Sequence, residues 1–368
     1  MLTLDQIESG AARLVGNLNE AESSGGIRFQ PGDVLFSKLR PYLAKSLLVD
    51  RPMHGTGELL AMKVGPELDA RFLLYTTLSQ PWLDRADLTA YGSKMPRTSW
   101  EAMADIQLPE LALDQQRRIV DFLDDQGARI DNIIAARHHQ QALIAEALTS
   151  RLAELFFVGS TVPMRRLVRE AVVGIVVQPA RYYVDARFGV RALRGLNVGE
   201  GEIFMDNLVE ISHEGHGLHP RSQLTAGDVV VVRTGDAGSA CVVPEWSVGW
   251  NCIDLVIVRA NNTATPQYIE HAINAARRNT TITAAASGSI QQHFGVGALL
   301  DLPVRWCRVD GQIKVVIAAD EARDNANVGS RVLAESVKRL GELKRSLITA
   351  AVTGEFDVLS ADGSRVSV

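Results

Sequence analysis

The chain alternates between two kinds of hydrophobic pattern. Short apolar runs at Val34–Phe36, Leu47–Val49, Val229–Val232, Ala240–Val243 and Leu255–Val258 are separated by Gly, Pro and Asp and predict strands. In the same regions, Ala70–Ala86 and Pro266–Arg278 each predict a helix. Two longer stretches lack proline and carry apolar residues at mixed spacings of three and four. Asp114–Phe157 places Ile119, Phe122, Leu123, Ile130, Ile133, Ile134, Leu143, Ile144, Leu148, Leu152 and Leu155 in this way. Ile313–Ala351 does the same with Val316, Ile317, Val328, Val332, Leu333, Val337, Leu340, Leu343, Leu347 and Ile348. Both are too long for an ordinary globular helix and predict coiled-coil or helix-pair packing, about 60 Å in length. Gly127 and Gly341 weaken them locally by about 1 kcal/mol each without breaking them.

The pattern occurs twice. "GDVLFSKLR" (32–40) returns as "GDVVVVRTG" (227–235), an offset of 195. Phe72 and Gly92 match Tyr268 and Gly288; Trp100 and Pro109 match Phe294 and Pro303; Gly159 matches Gly354. Landmarks in one order at nearly one offset indicate a large two-fold duplication rather than a solenoid of short repeats. Each copy is a strand-rich head followed by a long helix, and Leu108-Pro109 and Leu302-Pro303 mark where the heads end.

Composition narrows the class. The 368 residues are 46% hydrophobic and 22% charged, which excludes a disordered or collagen-like chain. No apolar run is long enough for a membrane span, no leader is visible, and three cysteines are too few for a disulfide scaffold. These features predict a cytoplasmic protein with reduced thiols. The net charge of −5 is not the footprint of a uniformly basic nucleic-acid binder. Charge is nevertheless uneven: Arg28–Arg51 is locally +3, and residues 160–310 hold 14 arginines and no lysine. Arginine's planar fork suits bidentate recognition of bases and phosphates.

Catalytic motifs are missing. Four Gly-x-Gly pairs lack the third glycine of a dinucleotide fingerprint, and neither a phosphate loop nor an adenine-methyltransferase motif occurs. "HEGHGLH", with His213, His216 and His219, lacks His-Glu-x-x-His spacing and reads as a polar loop before a strand, with no metal. Glu342-Leu-Lys344 has half the look of a nuclease motif but reads as a helix-surface ion pair, and Cys241 reads as a small buried hydrophobe.

Two loop clusters have the chemistry of nucleic-acid contacts. In the first copy they are Ser37–Tyr42 and Tyr91–Ser99, carrying Lys38, Arg40, Lys94 and Arg97, with Lys45 nearby. In the second they are Arg233–Asp236 and Ser287–His293, carrying Arg233, Gln291, Gln292 and His293. Such loops bring backbone amides to phosphates while long side chains reach base edges. Equivalent loops with different residues are what two heads reading different sequences require.

"LPELALDQQRRIVDFLDDQGARIDNII" (108–134) resembles the first conserved region of the DNA specificity subunits of type I restriction–modification systems, and "LKRSLITAAVTGEFDV" (343–358) the end of their second. "GDVLFSKLRPYLAKSLLVD" (32–50) and "YGSKMPRTSW" (91–100) are similar to the family's target-recognition domain. The resemblance implies an α+β chain, with two mixed α/β target-recognition domains separated by two long antiparallel coiled-coil helices. The domains would be 1–110, 160–310 and the helical regions 111–159 and 311–358, followed by a disordered tail, 359–368. It implies a non-catalytic subunit that binds a bipartite site in double-stranded DNA. Its partners would be two methyltransferase subunits using S-adenosylmethionine and restriction/motor subunits using ATP and Mg, with no cofactor in this chain. By the offset, Met164 would match a position before Met1, so the first domain is expected to lack its opening segment and to expose a sheet edge. The other reading is a coiled-coil protein–protein adaptor without DNA binding.

Overall fold

The computed structural model describes residues 1–16, 26–279, 294–356 and 358. The chain divides into two compact units, residues 1–139 with 333–368 and residues 140–332. Each unit takes one part of each long helix.

In the first unit, β1 (Ile27–Phe29) pairs with β4 (Met53–Gly55), and a three-stranded sheet runs β3 (Ser46–Leu48), β2 (Val34–Ser37), β5 (Leu59–Met62). Three helices follow: α1 (Ala70–Leu78), α2 (Gln80–Leu88) and the short α3 (Trp100–Met103). The single helix expected over Ala70–Ala86 is therefore two. Ser79 is extended (φ −75°, ψ 150°), its hydroxyl donates to the Thr76 carbonyl at 2.7 Å, and Pro81 opens the next helix.

The second unit carries a four-stranded sheet ordered β12 (Ala240–Val242), β11 (Val229–Val232), β14 (Leu255–Ala260), β7 (Val168–Val173). A second sheet runs β13 (Asn251–Cys252), β9 (Val190–Leu193), β10 (Val209–Ile211), β8 (Tyr183–Val184), and β15 (Pro303–Arg305) pairs with β6 (Thr161–Pro163). All four valines of β11 are buried because the sheet is covered on both faces. Val229 and Val231 join one core with Tyr268 and Ile273; Val230 and Val232 join another with Leu193 and Leu224. This is why the run shows no alternation. β2 repeats the arrangement, Val34 and Phe36 facing Trp82 and Leu73 while Leu35 faces Phe29 and Leu59.

The duplication extends to single hydrogen bonds. Asp33 accepts from the Gln30 amide (2.8 Å) as Asp228 does from Thr225 (3.0 Å), fixing the turn before β2 and β11. One difference stands out. β14 has β11 on one edge and β7 on the other, whereas its counterpart β5 has β2 on one edge and, among the described residues, no strand on the other.

The long helices are α4 (Leu113–Phe157) and, after α5 (His213–Leu218), α6 (Pro266–Arg278) and α7 (Val296–Asp301), the closing α8 (Val309–Thr353). Both are 45 residues long and start 196 positions apart. They pair antiparallel within each unit. In the first, Ile119, Val120 and Leu123 share a core with Ile348, Ala351 and Val352, and the Lys344 ammonium reaches the Asp131 carboxylate at 2.8 Å. In the second, Leu148, Leu152 and Leu155 pack with Ala319, and the Gln141 amide donates to the Ser330 carbonyl at 3.3 Å. The expected seam needs correction at Ile133, Leu143, Ile317, Val328, Val332 and Leu343, which are exposed. Small residues let the helices approach instead: Ala319, Ala322 and Ala326 line the seam, and a Cβ on Gly329 would come within 3.0 Å of the Ile144 Cδ1.

A buried glutamine fastens each head to its helix. Gln116 Oε1 accepts the Asp69 amide (2.8 Å), and its Nε2 donates to the carbonyls of Glu67 (3.0 Å) and Leu111 (2.8 Å). Gln312, 196 residues on, accepts from Thr265 (2.9 Å) and donates to Thr263 (2.8 Å) and Cys307 (3.0 Å). Asp69 and Thr265 are the N-caps of α1 and α6, so each clamp ties the head's principal helix to the first turn of a long one. Gln116→Ala or Gln312→Ala strands one amide and two carbonyls in a dry site. Each is expected to cost about 2–4 kcal/mol, at about 1–3 kcal/mol per unsatisfied group with partial relaxation, read by urea unfolding. A loss under about 0.5 kcal/mol, the scale of an ordinary surface substitution, would show the clamp to be dispensable.

Candidate nucleic-acid interface

After β2 the chain continues through Lys38 and Leu39 to Arg40, which is left-handed (φ +49°) and opens a single 3-10 turn, Pro41–Leu43. Farther on, Tyr91 and Arg97 exchange both backbone hydrogen bonds (2.9 and 3.0 Å) and close a loop around Lys94. Gly92 makes this closure possible at φ +94°. The loop is then fastened to the strand end: the Arg40 amide donates to Pro96 (2.8 Å) and the Thr98 amide to Lys38 (3.0 Å). Lys38, Arg40, Lys94 and Arg97 are thereby gathered at one junction of the first unit. Exposed Tyr42, Tyr91, Met95 and Trp100 lie on the same segments.

The cations are not equally placed. Arg97 makes a bidentate pair with Glu58, both contacts at 3.1 Å, which raises the guanidinium above its ordinary value. Glu58 also accepts the Lys38 amide through its own carbonyl (2.8 Å). The Lys45 ammonium turns away from the junction and donates to the Leu4 carbonyl at 2.6 Å, holding the first residues against the sheet.

In the second unit Arg233 follows β11 as Lys38 follows β2. The Phe294 amide donates to the Arg233 carbonyl (3.0 Å), the counterpart of the Thr98–Lys38 bond. Arg233 donates to Asp254 at 2.7 Å, and Asp254 holds the position of Glu58, 196 residues on. Gln291, Gln292 and His293 lie outside the described residues; the same offset matches them to Met95, Pro96 and Arg97. Sequence reasoning passed over Glu58, Asp254 and both clamp glutamines, although alignment of the copies at offset 196 pairs each with its counterpart.

The remaining motifs resolve into structure. His213–Leu218 is a helix, not the expected loop: Ser212 caps it by accepting the Gly215 amide (3.0 Å). Its histidines are engaged separately, His216 with Asn251 (3.3 Å) and His219 with the Gly215 carbonyl (2.8 Å). Among the described residues no three His, Cys, Asp or Glu side chains gather as metal ligands. Lys344 pairs between helices with Asp131 rather than along its own helix surface. Cys241 is buried, and burial pushes its thiol up to about 12.

No protein-family model matches the sequence. Among curated proteins, the chain is 24% identical over 158 residues to the specificity subunit of the type I restriction enzyme EcoDI of Escherichia coli, covering 42% of this chain. The match spans about a third (35%) of that relative's length. A chain in the structure describing complex assembly and conformational transition of the type I restriction–modification system superposes with a TM-score of 0.77 at 18% identity. That superposition covers 96% of this chain and 91% of the other. The HsdS subunit from Thermoanaerobacter tengcongensis superposes with a TM-score of 0.55 at 16% identity, over 96% and 90% of the two chains. The fold is that of a type I specificity subunit. Within this specificity-subunit fold, the two junctions occupy equivalent places, one in each copy of the repeated frame.

Beneath the second junction, α6 rests on α8 through buried charges. Glu270 accepts from Asn274 (2.6 Å) with Arg323 at 3.5 Å, and His271 contacts Asp320 at 3.0 Å while stacking on Phe156. Burial pushes the Glu270 carboxyl up to about 7, against the pull of Arg323. A carboxyl raised in the folded state favours folding most below its unfolded value, and that contribution is lost as pH rises through about 7. His271 is held below its ordinary value by burial and acts in the opposite sense, its Nε2 lying 3.7 Å from the Glu270 carboxylate. Glu270→Gln is therefore expected to gain up to about 3 kcal/mol over wild type at about pH 8. The gain should fade by about pH 5, where the wild-type carboxyl is protonated. Melting curves at the two pH values check this; a pH-independent difference would refute it.

Proposed function

We propose that this chain is the DNA-recognition subunit of a type I restriction–modification complex. Each head reads one half of a split double-stranded site through its strand-end and loop junction. The chain itself performs no catalysis. It scaffolds two methyltransferase subunits, which bring S-adenosylmethionine, and restriction/motor subunits, which bring ATP and Mg. The observation that carries this reading is the pair of equivalent junctions, fastened by the same backbone bond and armed with different side chains. Two equivalent junctions with unlike contact residues suit a bipartite, asymmetric target.

Co-expression with a modification subunit, purification and methylation mapping on genomic DNA test the proposal. Adenine methylation at one split motif is the expected result. A stable complex whose DNA affinity shows no salt dependence would favour the adaptor reading, which lacks the phosphate counterion contribution. The double variant Lys38→Ala/Arg40→Ala should weaken binding to the first half-site and flatten the log–log salt slope by about 2, near 0.9 for each phosphate left without its cation. Unchanged affinity and slope would remove both residues from the interface.

A further inference from the structure

We propose that Glu58 and Asp254 are the positioning residues of the two junctions: each carboxylate holds one arginine and so decides which cation its head turns toward DNA. The inference rests on the DNA-recognition reading and adds to it the residues that set specificity. Glu58 directly precedes β5 and Asp254 directly precedes β14, 196 positions apart in the repeated frame. Both accept from an arginine, yet the arginines come from different places. In the first unit the partner is Arg97, from the loop; in the second it is Arg233, from the strand end. Two inherited packing interactions would keep the donor at one position. A fixed acid with a movable donor behaves as a socket whose occupant varies between heads.

The geometry explains what the socket does. The bidentate pair uses two of the five N–H donors of Arg97 and fixes the guanidinium plane, leaving three donors for another planar acceptor. A guanine edge, with two acceptors side by side, fits that fork. Because Glu58 holds Arg97, its carboxylate does not hold Lys38, the strand-end cation of the first head. In the second head the assignment reverses, and the strand-end Arg233 is the one held. Asp254 is itself constrained: it sits at φ +52°, its amide donates to Ile175 (3.1 Å), and the Thr234 hydroxyl lies 3.4 Å from its carboxylate. A non-glycine residue kept in the left-handed region at a functional junction fits a positioning role.

The test uses the full chain assembled with its modification subunit, comparing wild type with Glu58→Gln, Asp254→Asn, Glu58→Asp and Arg97→Lys by methylation mapping. Glu58→Gln and Arg97→Lys should each lower discrimination at one base pair of the first half-site by about tenfold or more, leaving the second half-site intact. Asp254→Asn should do the converse. Glu58→Asp, which borrows the residue of the second copy, should retain the wild-type motif. These pairs are partly exposed and add little to stability, so melting temperatures should stay at the wild-type value while specificity moves. Variants that keep both half-sites sharp, or that blur both together, would overturn the inference alone. A wild-type complex without split-site methylation would overturn the DNA-recognition reading, and this inference with it.

Discussion

A buried amide side chain fastens each head to its long helix through main-chain groups alone. Gln116 and Gln312 enter dry environments where an unsatisfied polar group is costly, and each satisfies three main-chain groups at once. Hydrophobic contact between head and helix is non-directional and would permit sliding. The glutamine admits one arrangement, in which the cap of α1 or α6 meets the first turn of α4 or α8. The strands packed against those helices, and the junctions at the strand ends, take their positions from that joint.

On this frame the two copies differ where recognition would need them to. Turn, strand end and returning backbone bond are shared, whereas the side chains are Lys38, Arg40 and Arg97 in one junction and Arg233 in the other. The acid socket shows how one architecture accommodates such a change. Its charge stays in place while the partner arginine moves from loop to strand end, so the local balance of charge survives a change of partner.

Much of this was legible in the sequence, for physical reasons. A fully buried strand needs an uninterrupted apolar run, so Val229–Val232 announced itself; Pro266–Arg278 was bounded by proline and paired arginines and emerged with those limits. The break at Ser79 was missed because apolar spacing continues across it, although Ser79 and Pro81 carry the residue types of a new helix start. Exposure of Val328 and Val332 was equally hidden: a helix carries more apolar residues than one narrow seam covers, and the neighbouring alanines let the backbones close in. At the junctions, charge and residue type marked Lys38, Arg40, Lys94, Arg97 and Arg233. The partners that hold two of them, Glu58 and Asp254, looked like ordinary surface acids until the fold brought them within reach.

The clamp has a consequence for how the chain can change. Every group that Gln116 or Gln312 bonds belongs to the main chain. The joint is therefore blind to side-chain identity on the head it holds; Asp69 and Thr265, chemically unlike, occupy the same seat. Side-chain substitutions in a head leave this joint intact, provided the peptide groups keep their places. At this joint, geometry can outlast vocabulary.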